Sequence, residues 1–183
     1  MVYEMYFKAM GGSVPFHEAL EARLAIITPS HNEIVQCIKN HPLKLTSGIK
    51  ELVDILHMKG VHVYLVSGGF RQMINPIADV LGISHKNIYA NNILFKNDGS
   101  YAGFDPNEPT SRAGGKAKVV ADLKAKHGYK TIFMIGDGAT DMEARTQGDA
   151  NAFIGYGGIV VREVVKKGSD LFIMDMRELI NYL

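Results

Sequence analysis

Apolar residues recur along this chain at two different periods, and the change from one to the other divides it. Up to residue 42 the spacing is helical. Val2 to Met10 predicts a helix that stops at Gly11-Gly12, and after Pro15 the run Phe16 to Ile27 sets Leu20, Leu24 and Ile27 on one face. Thr28-Pro29 interrupts it. Ser30 then opens another helix, with Glu33 as its capping-box partner and Ile34, Val35 and Ile38 as its apolar face. His41-Pro42 ends the region, because a residue before proline is pushed out of helical geometry.

From Leu43 onward, strand and helix patterns alternate. A helix from about Ser47 carries Ile49, Leu52, Val53 and Leu56, and Val61 to Val66 is a strand stopped by Ser67-Gly68-Gly69. Phe70, Met73, Ile74, Ile77 and Leu81 mark the next helix, interrupted by Pro76 and closed by Gly82. Residues 88–104 read as a β-hairpin about Asp98-Gly99. A helix over 116–126 precedes a strand over 131–135. Strands at 152–154 and 171–173 then alternate with helices at 162–167 and 176–183. Such alternation predicts an α/β fold whose parallel sheet is covered on both faces. The two regions are 1–42 and 43–183.

Composition narrows the function without naming it. The chain has 183 residues, enough for a sizeable core. A formal net charge of +1 gives no electrostatic reason to expect nucleic acid or an anionic membrane surface. One cysteine, Cys37, excludes an internal disulfide and any cysteine-rich metal site, which favours a reducing compartment. No apolar run approaches spanning length, and residues 1–8 have neither a basic leader nor a signal-type apolar core.

Three segments carry candidate chemistry, each beside a predicted strand end or helix start, where open α/β sheets bind ligands. Ser67-Gly68-Gly69 offers a hydroxyl and close backbone approach to an anion; the same residues fit a plain strand-to-helix turn with Ser67 as N-cap. Gly114-Gly115-Lys116 puts an ammonium at a helix start, where it suits a phosphate or simply faces solvent. Gly136-Asp137-Gly138-Ala139-Thr140-Asp141 follows an apolar strand. Its two carboxylates supply hard oxygens of the kind Mg²⁺ takes, and the competing role for Asp137 or Thr140 is to cap the next helix.

Together with Ala9 to Phe16 and Leu65 to Phe70, these segments resemble, through almost the whole chain, the phosphoserine phosphatases of the haloacid dehalogenase superfamily, nearest the eukaryotic and plant-type members. The resemblance implies a Rossmann-like core, a small helical cap made mostly of residues 1–42, and hydrolysis of O-phospho-L-serine to L-serine in the last step of serine biosynthesis. It implies that Ser67 and Lys116 hold the phosphoryl group, that Asp137 binds Mg²⁺ with Asp141 in support, and that Arg23 pairs with the substrate carboxylate. Met10, Gly11, Gly68, Gly69 and Thr140 would line the substrate. It also implies a small-molecule partner rather than nucleic acid or membrane, leaves a homodimer open, and sets cytoplasm as the default compartment with a plastid as the plant-type alternative.

One departure is large. Family members carry an Asp-x-Asp pair, nucleophile and general acid/base, on a strand at the centre of the sheet. These 183 residues contain no Asp-x-Asp. Asp105, Asp149, Asp170 and Asp175 stand in the wrong contexts to replace it. The expectation is therefore a chain that opens inside the cap, lacks the family's central strand, and is marginally stable and inactive alone. The competing expectation is a non-catalytic phosphoserine-binding protein or partner subunit.

Overall fold

Most elements form where the apolar periodicity places them, and the displaced ends have local causes. The computed structural model describes residues 16–42 and 44–183; the helix expected over residues 2–10 lies outside the described residues. In chain order the elements are α1 (Phe16–Ile27), α2 (His31–Asn40), α3 (Ile49–Met58), β1 (Leu65–Phe70), α4 (Arg71–Leu81), β2 (Ile88–Asn91) and β3 (Ile93–Phe95). β4 (Tyr101–Phe104), α5 (Gly115–His127), β5 (Phe133–Gly136), α6 (Ala139–Thr146), β6 (Ala152–Tyr156), α7 (Glu163–Gly168) and β7 (Leu171–Ile173) follow. The C-terminal segment Met176–Tyr182 is a 3₁₀ helix rather than the α-helix its pattern predicts.

The chain divides into two compact units, each assembled from three stretches. The first takes Met1–Leu43, Leu65–Val80 and Ser84–Ala113; the second takes Lys44–Tyr64, Leu81–Ile83 and Gly114–Leu183.

In the first unit, α1 buries Ala19, Leu20 and Leu24, and Leu20 and Leu24 pack with Ile93 beneath a rim that includes Phe16, Phe70, Tyr101 and Phe104. The capping box of α2 forms as read: the Glu33 amide donates to the Ser30 hydroxyl, and the Ser30 amide donates to the Glu33 carboxylate at 2.8 Å. Those Ser30 hydrogen bonds, backbone first, hold the Glu33 carboxyl below its ordinary range.

The strand expected over 61–66 lies instead at Leu65–Phe70 and takes in Ser67-Gly68-Gly69. Its parallel partner explains the shift. Pairing begins at Leu65↔Ile88, and the residues before Ile88 turn as a 3₁₀ helix over His85–Asn87, so the regular ladder with β2 starts at Leu65. The hairpin is likewise shorter than 88–104. Only β3 and β4 form it, about Asp98-Gly99, while Ile88–Asn91 joins β1.

The second unit holds the parallel sheet β5-β6-β7. Phe153, fully buried on β6, anchors one part of its core. Leu52 of α3 packs with Tyr156, Ile173, Met176 and Leu179 in another. Among the described residues the parallel strands form the ladders β1-β2 and β5-β6-β7, in keeping with the expected α/β fold.

Candidate active site

In the second unit, the turn after β5 is built around a buried carboxylate. Asp141, in the first turn of α6, accepts from the Gly138 amide at 3.0 Å through Oδ2 and from the Lys116 ammonium at 2.6 Å through Oδ1. Its side chain is 7% exposed and that of Lys116 19%, so the pair is largely withdrawn from water. Both Asp141 oxygens are committed. It caps α6 itself, the task that sequence offered to Asp137 or Thr140. The close approach needs Gly136, because a Cβ there would collide with the Asp141 carboxyl group. Lys116 starts from the first turn of α5, which follows Gly114 at φ +70°, a backbone region that favours glycine.

Asp137 differs from Asp141. It is exposed, and its carboxylate pairs with the Arg162 guanidinium, which also donates to the Asp137 carbonyl at 2.9 Å. Thr140 is exposed on the same turn. The structure therefore brings Lys116, Asp137, Thr140 and Asp141 to one end of the sheet in this unit, and adds Arg162, which no sequence pattern singled out.

In the first unit, Ser67-Gly68-Gly69 forms an irregularity inside β1 and not a helix cap. The register runs Ser67↔Ala90 and then Phe70↔Asn91, so Gly68 and Gly69 have no opposite residues. The Gly69 amide donates to Ser67 Oγ at 3.0 Å, folding the hydroxyl back over the bulge. Asn91, fully buried, donates from Nδ2 to the Gly68 carbonyl at 2.8 Å and accepts from Thr110 Oγ1 at 3.1 Å. Arg23 belongs to the same unit. Its Nε donates to the Ala19 carbonyl at 3.0 Å, and no carboxylate faces its guanidinium among the described residues. Met10 and Gly11 lie outside the described residues. Two grooves, of about 260 and 390 Å³, also lie in this unit, and none of the sequence-predicted site residues lines either.

The donor chemistry fits Mg²⁺ at one position. Mg²⁺ commonly takes one or two carboxylates and fills its remaining positions with water and phosphate oxygens. The Asp137 carboxylate suits that role, since it is accessible and its present partner is an exposed guanidinium. Among the described residues no three His, Cys, Asp or Glu side chains cluster as a protein-only metal cage. Other aspartates have structural tasks: Asp170 accepts from the Phe153 amide at 2.8 Å, and Asp175 caps the C-terminal 3₁₀ helix. No helix among the described residues is long and apolar enough to cross a membrane.

Comparison with known proteins gives the family and the fold. The family model of the haloacid dehalogenase-like hydrolases matches residues 2–149. Over 182 residues the chain is 53% identical to the chloroplastic phosphoserine phosphatase of Arabidopsis thaliana, covering 100% of this chain and 62% of that protein. It is 48% identical to the phosphoserine phosphatase of Homo sapiens, covering 80% of it. Among solved structures, a phosphoserine phosphohydrolase-like protein from Francisella tularensis superposes with a TM-score of 0.81 at 33% identity, over 100% of this chain and 83% of that one. The α/β, Rossmann-like core is that of these proteins.

Proposed function

The chain belongs to the haloacid dehalogenase-like hydrolases and, within them, to the phosphoserine phosphatases, and on that footing we propose that its site serves the hydrolysis of O-phospho-L-serine to L-serine and phosphate. The observation that carries the proposal is the Lys116–Asp141 pair. It is a largely buried ammonium fixed at 2.6 Å beside the turn that presents Asp137, and a fixed cation is what a transferring phosphoryl group needs.

Each residue then has a task. The Lys116 ammonium offsets charge on the phosphoryl oxygens, while the Ser67 hydroxyl and the neighbouring glycine amides orient them. Asp137 holds Mg²⁺, which when bound neutralises further phosphoryl charge; Asp141 keeps Lys116 in place. Arg23 meets the substrate carboxylate, whose two oxygens match a guanidinium fork. Met10, Gly11, Gly69 and Thr140 complete the substrate surround, and residues 1–42 supply most of a cap over the core. The attacking and proton-transferring carboxylates are not among these 183 residues, which contain no Asp-x-Asp, so the chain alone does not turn over. Cytoplasm is the default compartment, and the chloroplastic Arabidopsis relative fits the plastid alternative.

The test is phosphate release from O-phospho-L-serine with Mg²⁺, by this chain and by the same chain preceded by an Asp-x-Asp-bearing segment of a relative. Activity only in the second bears the proposal out. Activity in both means that the nucleophile is elsewhere. A folded but inactive extended chain points to a phosphoserine-binding protein. In the active form, Arg23→Ala should weaken use of phosphoserine more than use of a phosphate ester without a carboxylate, and equal losses would remove Arg23 from its role.

A further inference from the structure

We infer that Asn91 and Thr110 are positioning residues for the phosphoryl cradle: a buried side-chain relay substitutes for the ladder bond that β1 loses at its glycines and holds the Ser67-Gly69 bulge in its binding shape.

A strand that advances from Ser67↔Ala90 to Phe70↔Asn91 leaves the groups of Gly68 and Gly69 without opposite residues on β2. Every residue of β1 is partly buried, and a carbonyl partly withdrawn from water and left unpaired is costly, so the bulge needs a donor from elsewhere. Asn91 provides it. Its residue is 0% exposed, and its Nδ2 reaches the Gly68 carbonyl at 2.8 Å. An amide can present either its oxygen or its nitrogen, and only the nitrogen suits a carbonyl. The Gly68 carbonyl settles the choice, because it can only accept and so takes Nδ2; Oδ1 is left to accept from Thr110 Oγ1 at 3.1 Å. Thr110 is itself 4% exposed, in the 3₁₀ turn Pro109–Ser111.

The segment beyond the bulge is secured separately. Arg71 donates to the Ile88 carbonyl at 2.9 Å and to Glu108 at 2.8 Å, and Gln72 Nε2 donates to the Ile93 carbonyl at 2.8 Å. Those bonds fix where α4 begins. They leave the Gly68 peptide to Asn91. Turning that peptide would move the Gly69 amide, which closes the bulge on Ser67 Oγ at 3.0 Å. The relay Thr110–Asn91–Gly68 therefore reaches the hydroxyl and amides that the proposed function assigns to the phosphoryl oxygens, and the inference rests on that assignment.

The test uses the ¹⁵N-labelled 183-residue chain and inorganic phosphate. Thr110→Val keeps shape and removes the donor; Thr110→Ser restores it. Without phosphate, Thr110→Val should move the Gly69 amide resonance and speed its hydrogen exchange, and Thr110→Ser should return both toward wild type. On titration, the Gly68 and Gly69 amides of the wild type should shift, with phosphate affinity roughly fivefold weaker in Thr110→Val and recovered in Thr110→Ser. Asn91→Asp, which sets an oxygen against the Gly68 carbonyl, should lose at least as much. A Gly69 amide unmoved by Thr110→Val overturns the relay whatever phosphate does. A moved amide with unchanged phosphate affinity makes the relay merely structural and overturns its positioning role. Wild-type amides indifferent to phosphate overturn the cradle assignment, and the inference with it.

Discussion

The glycine bulge of β1 and the aspartate turn after β5 address the same need, holding irregular backbone at a strand end, by opposite means. The bulge is held by neutral groups: Asn91 fully buried, Thr110 nearly so, each donor matched to one acceptor. The turn is held by charge, with Lys116 against a buried Asp141 and Arg162 against an exposed Asp137. Neutral buried networks depend little on salt or pH and fix one geometry. Ion pairs are graded by exposure. The buried one is costly to break, whereas the exposed one exchanges its cation at little cost. The difference separates a part held by matched neutral groups from a part held by charge.

Four substitutions sharpen or break this contrast. Lys116→Ala should be the most damaging, about 3 kcal/mol in urea unfolding, because it strands the Asp141 carboxylate away from water. Adding Asp141→Asn should recover part of the loss; no recovery would mean that charge is not what holds the turn. Gly136→Ala should cost about 1–3 kcal/mol by driving a methyl group into the Asp141 carboxyl. Since both changes act through one carboxylate, their combined cost should fall short of the sum. Arg162→Ala should cost under about 1 kcal/mol in low salt and almost nothing in 1 M NaCl, where screening reaches about 3 Å. A large, salt-independent loss would place the Asp137 pair with the buried type.

The smallest effect concerns pH. The Asp175 carboxyl lies well below its ordinary value, first because the Arg177 guanidinium hydrogen-bonds it and then because the Arg177 amide does. A carboxyl with a lowered folded pKa stabilises above its unfolded value, near 3.9, and loses that contribution as pH falls through the folded one. Asp175→Asn should therefore melt slightly below wild type above about pH 5, with the gap closing under pH 4. A gap that does not narrow at all between pH 4 and pH 2 would assign the effect to capping by the side-chain oxygen rather than to its charge.

What sequence revealed and what it hid follow the range of the interactions. The α2 capping box and the turn at Asp98-Gly99 depend on neighbours a few residues apart, and both were legible. Ser67, Lys116, Asp137 and Asp141 stood out singly because each sits beside a strand end or helix start. The bond between Lys116 and Asp141 did not, since it spans 25 residues. Arg162 follows an apolar run with nothing to mark its partner. Asn91 and Thr110 sit in segments whose pattern says only strand and turn, although an asparagine closing the buried strand β2 was a faint signal. The start of β1 was misplaced for a related reason: Val61 to Tyr64 have strand-like side chains, but the regular ladder with β2 begins at Leu65, and composition does not say where a ladder begins.

The three-stretch makeup of each unit has a consequence for the order of synthesis. Helix α3, at residues 49–58, finds its apolar cover in Tyr156, Ile173, Met176 and Leu179, and Lys59 reaches the carbonyl of Leu183 at 2.7 Å. On the ribosome α3 emerges long before any of these partners exists. At about 5–20 residues per second, Leu52 and its neighbours stay uncovered for roughly 5–25 seconds, which makes this helix a natural client for chaperones during translation.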